Sequence, residues 1–211
     1  MALTQIEQGM LKDGILTADT AGRLKMADGF VSTAKLLDAN VTAEKLASGA
    51  ARANFGAGAV LQVVQGNYKG VTTVASGTYV ALPISATITP ISLNSKILVR
   101  TVVHVGCTGS NEGLHGRLVR NGSYVTIYGD AAGSRDQAWF HCGSHMSSYE
   151  IYPATAEYLD SPNSTSALTY VIWARGHSAG YPVLINTNEA DYDSTYTSRT
   201  VSSITLMEIA G

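Results

Sequence analysis

Cysteine, proline and charge are all scarce in this chain, and each scarcity closes off a class of protein. The two cysteines, Cys107 and Cys142, are too few for a disulfide framework and lack the paired spacing of a zinc site, so the expectation is two reduced thiols. Charged residues make up only 14% of 211, with a formal net charge of -2 and a pI near 6.2. Neither half is basic, so the charge balance offers nothing to neutralise a run of phosphates and nucleic acid is not expected as a partner. No apolar run approaches the about 20 residues of a membrane-spanning helix, and the N-terminus lacks a basic-then-apolar secretory leader. The expectation is no membrane insertion: a protein that stays where it is made unless an assembly carries it out. The five prolines, Pro83, Pro90, Pro153, Pro162 and Pro182, fall at predicted strand ends or turns. Pro153 marks an edge strand or a bulge, where a missing N–H does least harm.

What is abundant is Gly, Ser, Thr and Ala, a bias towards strands and turns rather than helices. It falls into two texts. From Ile6 to Ala51 the apolar residues keep a step of five: Ile6, Leu11, Leu16, Ala21, Met26, Val31, Leu36, Val41, Leu46, Ala51. A helix repeats every 3.6 residues and a strand every second one, so neither accounts for it. Lys25, Lys35 and Lys45 recur at ten, as do Asp28 and Asp38, which makes this an internal repeat. One apolar residue in five on a thin chain cannot offset a backbone ordering cost of about 1–2 kcal/mol per residue, so the segment needs partners. Three parallel copies sharing an axis meet that need, with Leu11, Leu16, Met26, Val31, Leu36, Val41 and Leu46 facing it. Residues 1–11 are expected to form an attachment segment, a brief helix with Leu3, Ile6 and Met10 on one face. Residues 12–51 are the stalk, and 52–59, small and flexible text, a neck.

From residue 60 to 211 strand signals follow at short intervals, predicted at 60–69, 77–82, 84–89, 96–106, 114–121, 123–129, 147–159, 167–176, 182–187 and 200–209. The nearly continuous apolar text from Ile97 to Val105 predicts a central strand buried on both faces or nearly so. Asn121-Gly122 between two alternating runs predicts a type I′ hairpin. Many short strands without a long amphipathic helix predict a mainly β head, an antiparallel sandwich or barrel of jelly-roll-like kind. The last strand ends two residues before the C-terminus, as expected of a domain closed by its own final strand.

Chemistry-bearing patterns are weak. His141-Cys142-Gly143-Ser144-His145 spaces two histidines for a helix face, yet Gly143 and Ser144 make it a loop, and no second ligand pair accompanies it; no metal or other cofactor is expected. No Gly-x-Ser-x-Gly elbow occurs, and the acidic pairs Asp191/Asp193 and Asp130/Asp136 read as solvated loop residues, with a cation or sugar site as the alternative. The chain is therefore not expected to be an enzyme. Aromatic residues in polar loops are the better binding candidates: Trp139, His141, Tyr149, Tyr181, Asp191, Tyr192 and Tyr196 combine stacking faces with hydroxyl-bonding groups suited to glycan. Trp173, flanked by Val171 and Ile172, is expected in the core.

The text from Gly14 to Arg23, Met26-Ala27-Asp28-Gly29-Phe30-Val31 and the two Thr-containing Lys-Leu units resembles the stalk repeats of tailed-bacteriophage fibre proteins. Gly58 to Gln65, Tyr158 to Pro162, Ala167 to Tyr170 and the closing Leu206-Met207-Glu208-Ile209 resemble the β-sandwich heads of such fibres. The resemblance implies a homotrimer with a C1q- or TNF-like head on a thin stalk, located in the virion after assembly in the host cytoplasm. It implies other virion proteins as partners of the N-terminus, and host surface polysaccharide as a possible partner of the tip. A capsid, collar or baseplate decoration fibre without a host ligand is the alternative. No binding residue carries over from the resemblance.

Overall fold

In a computed structural model the described residues are 16–18, 24–26, 56–108, 113–143 and 149–211. The chain separates into two compact units, Met1–Asn54 and Phe55–Gly211. In the first, β1 (Leu16–Ala18) pairs antiparallel with β2 (Leu24–Met26), and the ten-residue unit sets Leu16 across from Met26. The other proposed axis residues, Leu11, Val31, Leu36, Val41 and Leu46, and the attachment residues Leu3, Ile6 and Met10, lie outside the described residues.

The second unit is two packed antiparallel sheets, with no helix among the described residues. Its strands are β3 (Val60–Tyr68), β4 (Thr72–Val74), β5 (Val80–Ile88), β6 (Lys96–Cys107), β7 (Leu114–Arg120), β8 (Ser123–Tyr124), β9 (Phe140–Cys142), β10 (Tyr152–Asp160), β11 (Leu168–Arg175), β12 (Val183–Ile185) and β13 (Ser202–Ile209). The first sheet is centred on β6. One edge of β6 carries β10 along most of its length, and the other is shared by β13, backed by β3, and β12, backed by β4. The second sheet runs β5-β11-β7, with β8 and β9 sharing the outer edge of β7.

Period-two patterning decides which side chains meet between the sheets. Ile97, Val99, Val103 and Val105 of β6 and Ile204 and Leu206 of β13 face Leu82, Ile84 and Ile88 of β5, Leu118 of β7 and Tyr170 and Ile172 of β11, all in one buried cluster. Each such aliphatic side chain contributes about 1.5–3 kcal/mol by leaving water. From Ile97 to Val105 only alternate residues of β6 are buried: Arg100 is exposed, and Leu98, Val102 and His104 are half-buried. This corrects the expectation of a strand covered on both faces. The apolar text reflects a second, outward stripe, not a second covering layer.

Other boundaries differ for identifiable reasons. Residues 80–88 form one strand through Pro83, because β5 is an edge whose register against β11 shifts between Val171 and Trp173, opposite Pro83. Pro153 likewise lies in β10, which pairs only with β6. The predicted strand at 123–129 stops after Tyr124, where the chain leaves the ladder as a loop, and the described part of 147–159 pairs from Tyr152 onwards. The short β4 and β9 were not anticipated; three-residue pairings carry too little pattern to read. The predicted hairpin is present, with Asn121 at φ 48° and Gly122 at φ 83° between Arg120 and Ser123.

Two buried polar groups hold the ends of the sandwich. Asn186, at φ 64°, bonds the Tyr68 and Gly70 carbonyls through Nδ2 and accepts the Ser202 hydroxyl at 2.6 Å, joining β3, β12 and β13. Asp160, at the end of β10, accepts the Tyr170 hydroxyl at 2.7 Å and pairs with Arg120, linking the first sheet to the second. Burial raises the Tyr170 phenol, and its bond to Asp160 raises it further.

Candidate functional site

The outer face of the second sheet carries the densest polar and aromatic constellation among the described residues. Alternation along β7 turns His115 and Arg117 outwards, and alternation along β11 turns Trp173 and Arg175 outwards. Register sets His115 across from Arg175 and Arg117 across from Trp173. Trp173 is thus half-buried on the outer face and not in the core, a correction to the expectation from its apolar neighbours. Those neighbours, Ile172 and Ala174, are the ones that point inwards.

Residues 125–139 fold back over this face. Val125 N bonds the Leu118 carbonyl and Trp139 N the Gly116 carbonyl, so both ends of the loop are tied to β7. The loop's centre is held by Asp136. Its Oδ2 accepts Tyr79 at 2.6 Å, Arg175 Nε at 3.1 Å and lies 3.1 Å from His115 Nδ1, while Oδ1 accepts Arg117 Nη2 at 3.4 Å. The Arg117 guanidinium also lies over the rings of Tyr79, Tyr124 and Tyr128, at 4.4, 5.3 and 5.1 Å from their centroids. Burial pushes the Asp136 carboxyl up, but the bonds from Tyr79 and Arg175 and the charges of Arg175 and His115 outweigh it, leaving it below the ordinary value.

His115 is lowered, first by burial, then by the neighbouring His141 and Arg175, against the opposing pull of Asp136. The two histidines are register partners on β7 and β9, their rings 4.7 Å apart. A lowered histidine binds its proton more weakly in the folded state, so protonation favours unfolding. Its contribution to stability is complete above the ordinary value of 6.5 and falls as pH drops from there towards the folded value. Asp136 loses its contribution later, as pH falls from 3.8. Chemical denaturation at stepped pH is therefore expected to show stability declining first as pH falls below about 6.5, and His115→Asn to remove that first decline. An unchanged profile in the variant would show that another group titrates there.

Two clefts flank Asp136. One, of about 560 Å³, is lined by His115, Asp130, Arg135, Asp136, Trp139 and His141 among others. The other, of about 510 Å³, lies between the 77–79 turn and the loop and is lined by Tyr79, Arg117, Tyr124, Arg135, Asp136 and Arg175. Of the sequence candidates, Trp139 and His141 share the first cleft. His141 stands on β9, not in a loop; His145 lies outside the described residues. Tyr149, Tyr192 and Tyr196 form a separate cleft of about 370 Å³, with Tyr192 donating to the Tyr149 hydroxyl at 3.0 Å and Tyr196 80% exposed. Asp191 pairs with Arg199 at 2.7 Å in an adjoining depression. Tyr181 belongs to neither group and packs beside His177. The candidates therefore do not form one site.

Sequence reading missed Arg117, Arg175, Tyr79 and Tyr124, and took Asp136 for a solvated loop residue. The available signal was two arginines at outward positions of otherwise apolar strands, where a charge needs a partner. Among the described residues no cluster of three metal-ligating side chains occurs. Cys142 is buried, unpaired and raised by burial.

The first sheet's outer face is different in kind. Val63, Met207, Leu98 and Leu159 stand in register across β3, β13, β6 and β10 as one apolar row, with Val63 57% and Leu159 44% exposed. Val60 and Ile209 extend it where β3 begins. The next row, Gln65, Thr205, Arg100 and Glu157, is polar.

No protein family matches the chain, and no curated protein matches it. Among solved structures, the VP2 subviral particle of infectious bursal disease virus aligns at 11% identity and a TM-score of 0.30, over 71% of this chain and 41% of that one. The chain thus spans less than half the length of that protein, and so loose a likeness carries no argument about fold or function.

Proposed function

We propose that this chain is a non-enzymatic structural fibre protein of a phage virion, homotrimeric, attached by its N-terminal segment and contacting host surface glycan with its β-sandwich tip. The observation that carries the reading is the difference between the two outer faces. One presents an apolar row to self-association, and the other presents aromatic and charged clefts to a ligand. An exposed row four strands wide is the kind of patch that a second copy covers. The repeat from Ile6 to Ala51 supports parallel copies independently, because it has too few apolar residues to order alone. The strand orders β3-β13-β6-β10 and β5-β11-β7 with β8 and β9 support a jelly-roll class for the head.

Sedimentation of the purified chain is expected to give three times the monomer mass, and Leu98→Lys with Met207→Lys to lower it to the monomer while the sheet signal in circular dichroism persists. A wild-type monomer would end the fibre reading. Binding of the trimer to host cells, reduced by Trp139→Ala or Tyr192→Ala, supports a tip that grips glycan. Binding to no cell or polysaccharide points instead to a decoration fibre on capsid, collar or baseplate. Leaving host polysaccharide uncut is the expected result for a non-enzyme.

A further inference from the structure

The cleft between the 77–79 turn and the 125–139 loop is lined by three guanidinium groups, Arg117, Arg135 and Arg175, and a single carboxylate, Asp136, a formal excess of two positive charges. That carboxylate is already occupied by Tyr79, His115, Arg117 and Arg175. It has little capacity left to accept a sugar hydroxyl. The donors are not exhausted in the same way. Arg117 spends Nε on the Gln137 carbonyl and Nη2 on Asp136, and Arg175 spends Nε on Asp136 and Nη1 on the Gly77 carbonyl. Arg117 Nη1 and Arg175 Nη2 have no acceptor among the described residues, and both side chains line the cleft. Arg135, exposed at the rim, uses only Nη1, on the Ala132 carbonyl.

A neutral sugar ring presents hydroxyls that donate as readily as they accept, and although these can take the arginine N–H groups they would leave the excess positive charge unbalanced. A planar carboxylate matches a guanidinium fork and balances the charge. Both inner arginines are also fixed before any ligand arrives, Arg117 by its stack on Tyr79 and Tyr124 and Arg175 by the Gly77 and Asp136 bonds. Little side-chain freedom remains to be lost on binding. The ring of Tyr124, itself 43% exposed, offers a surface on which a pyranose can lie.

We propose that this cleft binds an acidic sugar, one bearing a carboxylate, with Arg117, Arg135 and Arg175 on the carboxylate and Tyr124 against the ring. The assignment rests on the glycan reading of the head and specifies the chemical class of the glycan. Isothermal titration of the full chain with galacturonate and glucuronate tetrasaccharides, their carboxyl-reduced neutral counterparts and inorganic phosphate tests it. An acidic tetrasaccharide is expected to bind about tenfold or more tightly than its neutral counterpart and to weaken as salt rises. Arg175→Gln is expected to abolish that binding. Arg135→Gln, which touches nothing in the Asp136 network, is expected to weaken it about threefold or more without changing the melting curve, as removal of one rim charge does. If Arg175→Gln unfolds the head, Arg135→Gln decides, and an unchanged affinity there overturns the proposal. Equal binding of neutral and acidic sugars overturns it while the glycan reading stands. Phosphate binding as tightly as the uronates reveals a general anion site and also overturns it. No saccharide binding at all removes both the proposal and the glycan reading.

Discussion

Replacing Asp160 by Ala is expected to destabilise the β-sandwich by about 3 kcal/mol, lowering its melting temperature by roughly 10 °C in a domain of this size. The Tyr170 hydroxyl donates to Asp160, its only acceptor among the described residues, and Tyr170 is fully buried in the core cluster. Removing the carboxylate leaves that O–H without its acceptor, at a cost of about 1–3 kcal/mol. The rest comes from the ion pair to Arg120 and from the space vacated. Arg120 retains 31% of its side-chain exposure and can rehydrate, which keeps the total below that of a fully enclosed pair. Burial alone would lower Arg120, but its bond and charge interaction with Asp160 raise it on balance. Tyr170→Phe removes the orphaned group instead of creating one and is expected to cost about 1 kcal/mol. Equilibrium urea unfolding separates the two; equal costs for both variants would show that Asp160 does not serve the core hydroxyl.

Replacing Asp136 by Ala is expected to cost about 2–3 kcal/mol and to release the 125–139 loop, because Tyr79, Arg117 and Arg175 lose their common acceptor together and His115 loses its neighbouring carboxylate. Arg117 and Arg175 then face each other's charge without the carboxylate between them. Amide hydrogen exchange is the sensitive measurement: protection at Trp139 and Gly129, whose N–H groups bond Gly116 and Ala138, is expected to fall, while β6 and β13 remain protected. Both flanking clefts include Asp136, so ligand binding at either should fall in the same variant. Retained loop protection would mean that the backbone ties at Val125 and Trp139 suffice.

Much of the head was legible from its own text, for local reasons. Asn121-Gly122 tolerates positive φ at both positions, so the turn announced itself without reference to the rest of the fold. The alternation of β11 and β13 and the edge placement of Pro153 are likewise properties of one strand and its backbone donors. Pro83 misled because a break and a bulged edge strand have the same local text, and only pairing with β11 distinguishes them. Trp173 misled because its neighbours point the other way.

The candidate site was barely legible. Asp136 meets Tyr79 from 57 residues away and Arg175 from 39, and no spacing rule connects such positions. Trp139 and His141 were found as aromatic loop text, but their separation from Tyr149, Tyr192 and Tyr196 depends on which strands neighbour which. By itself the sequence determined a β-rich head, its hairpin and the five-residue ruler, because side-chain period and turn chemistry are local to a few residues. Only the tertiary structure decided that four strands align Val63, Met207, Leu98 and Leu159 into one apolar row, and that Asp136 gathers donors from two strands and a turn. Register and loop closure join residues far apart in the chain, and no local pattern carries that information.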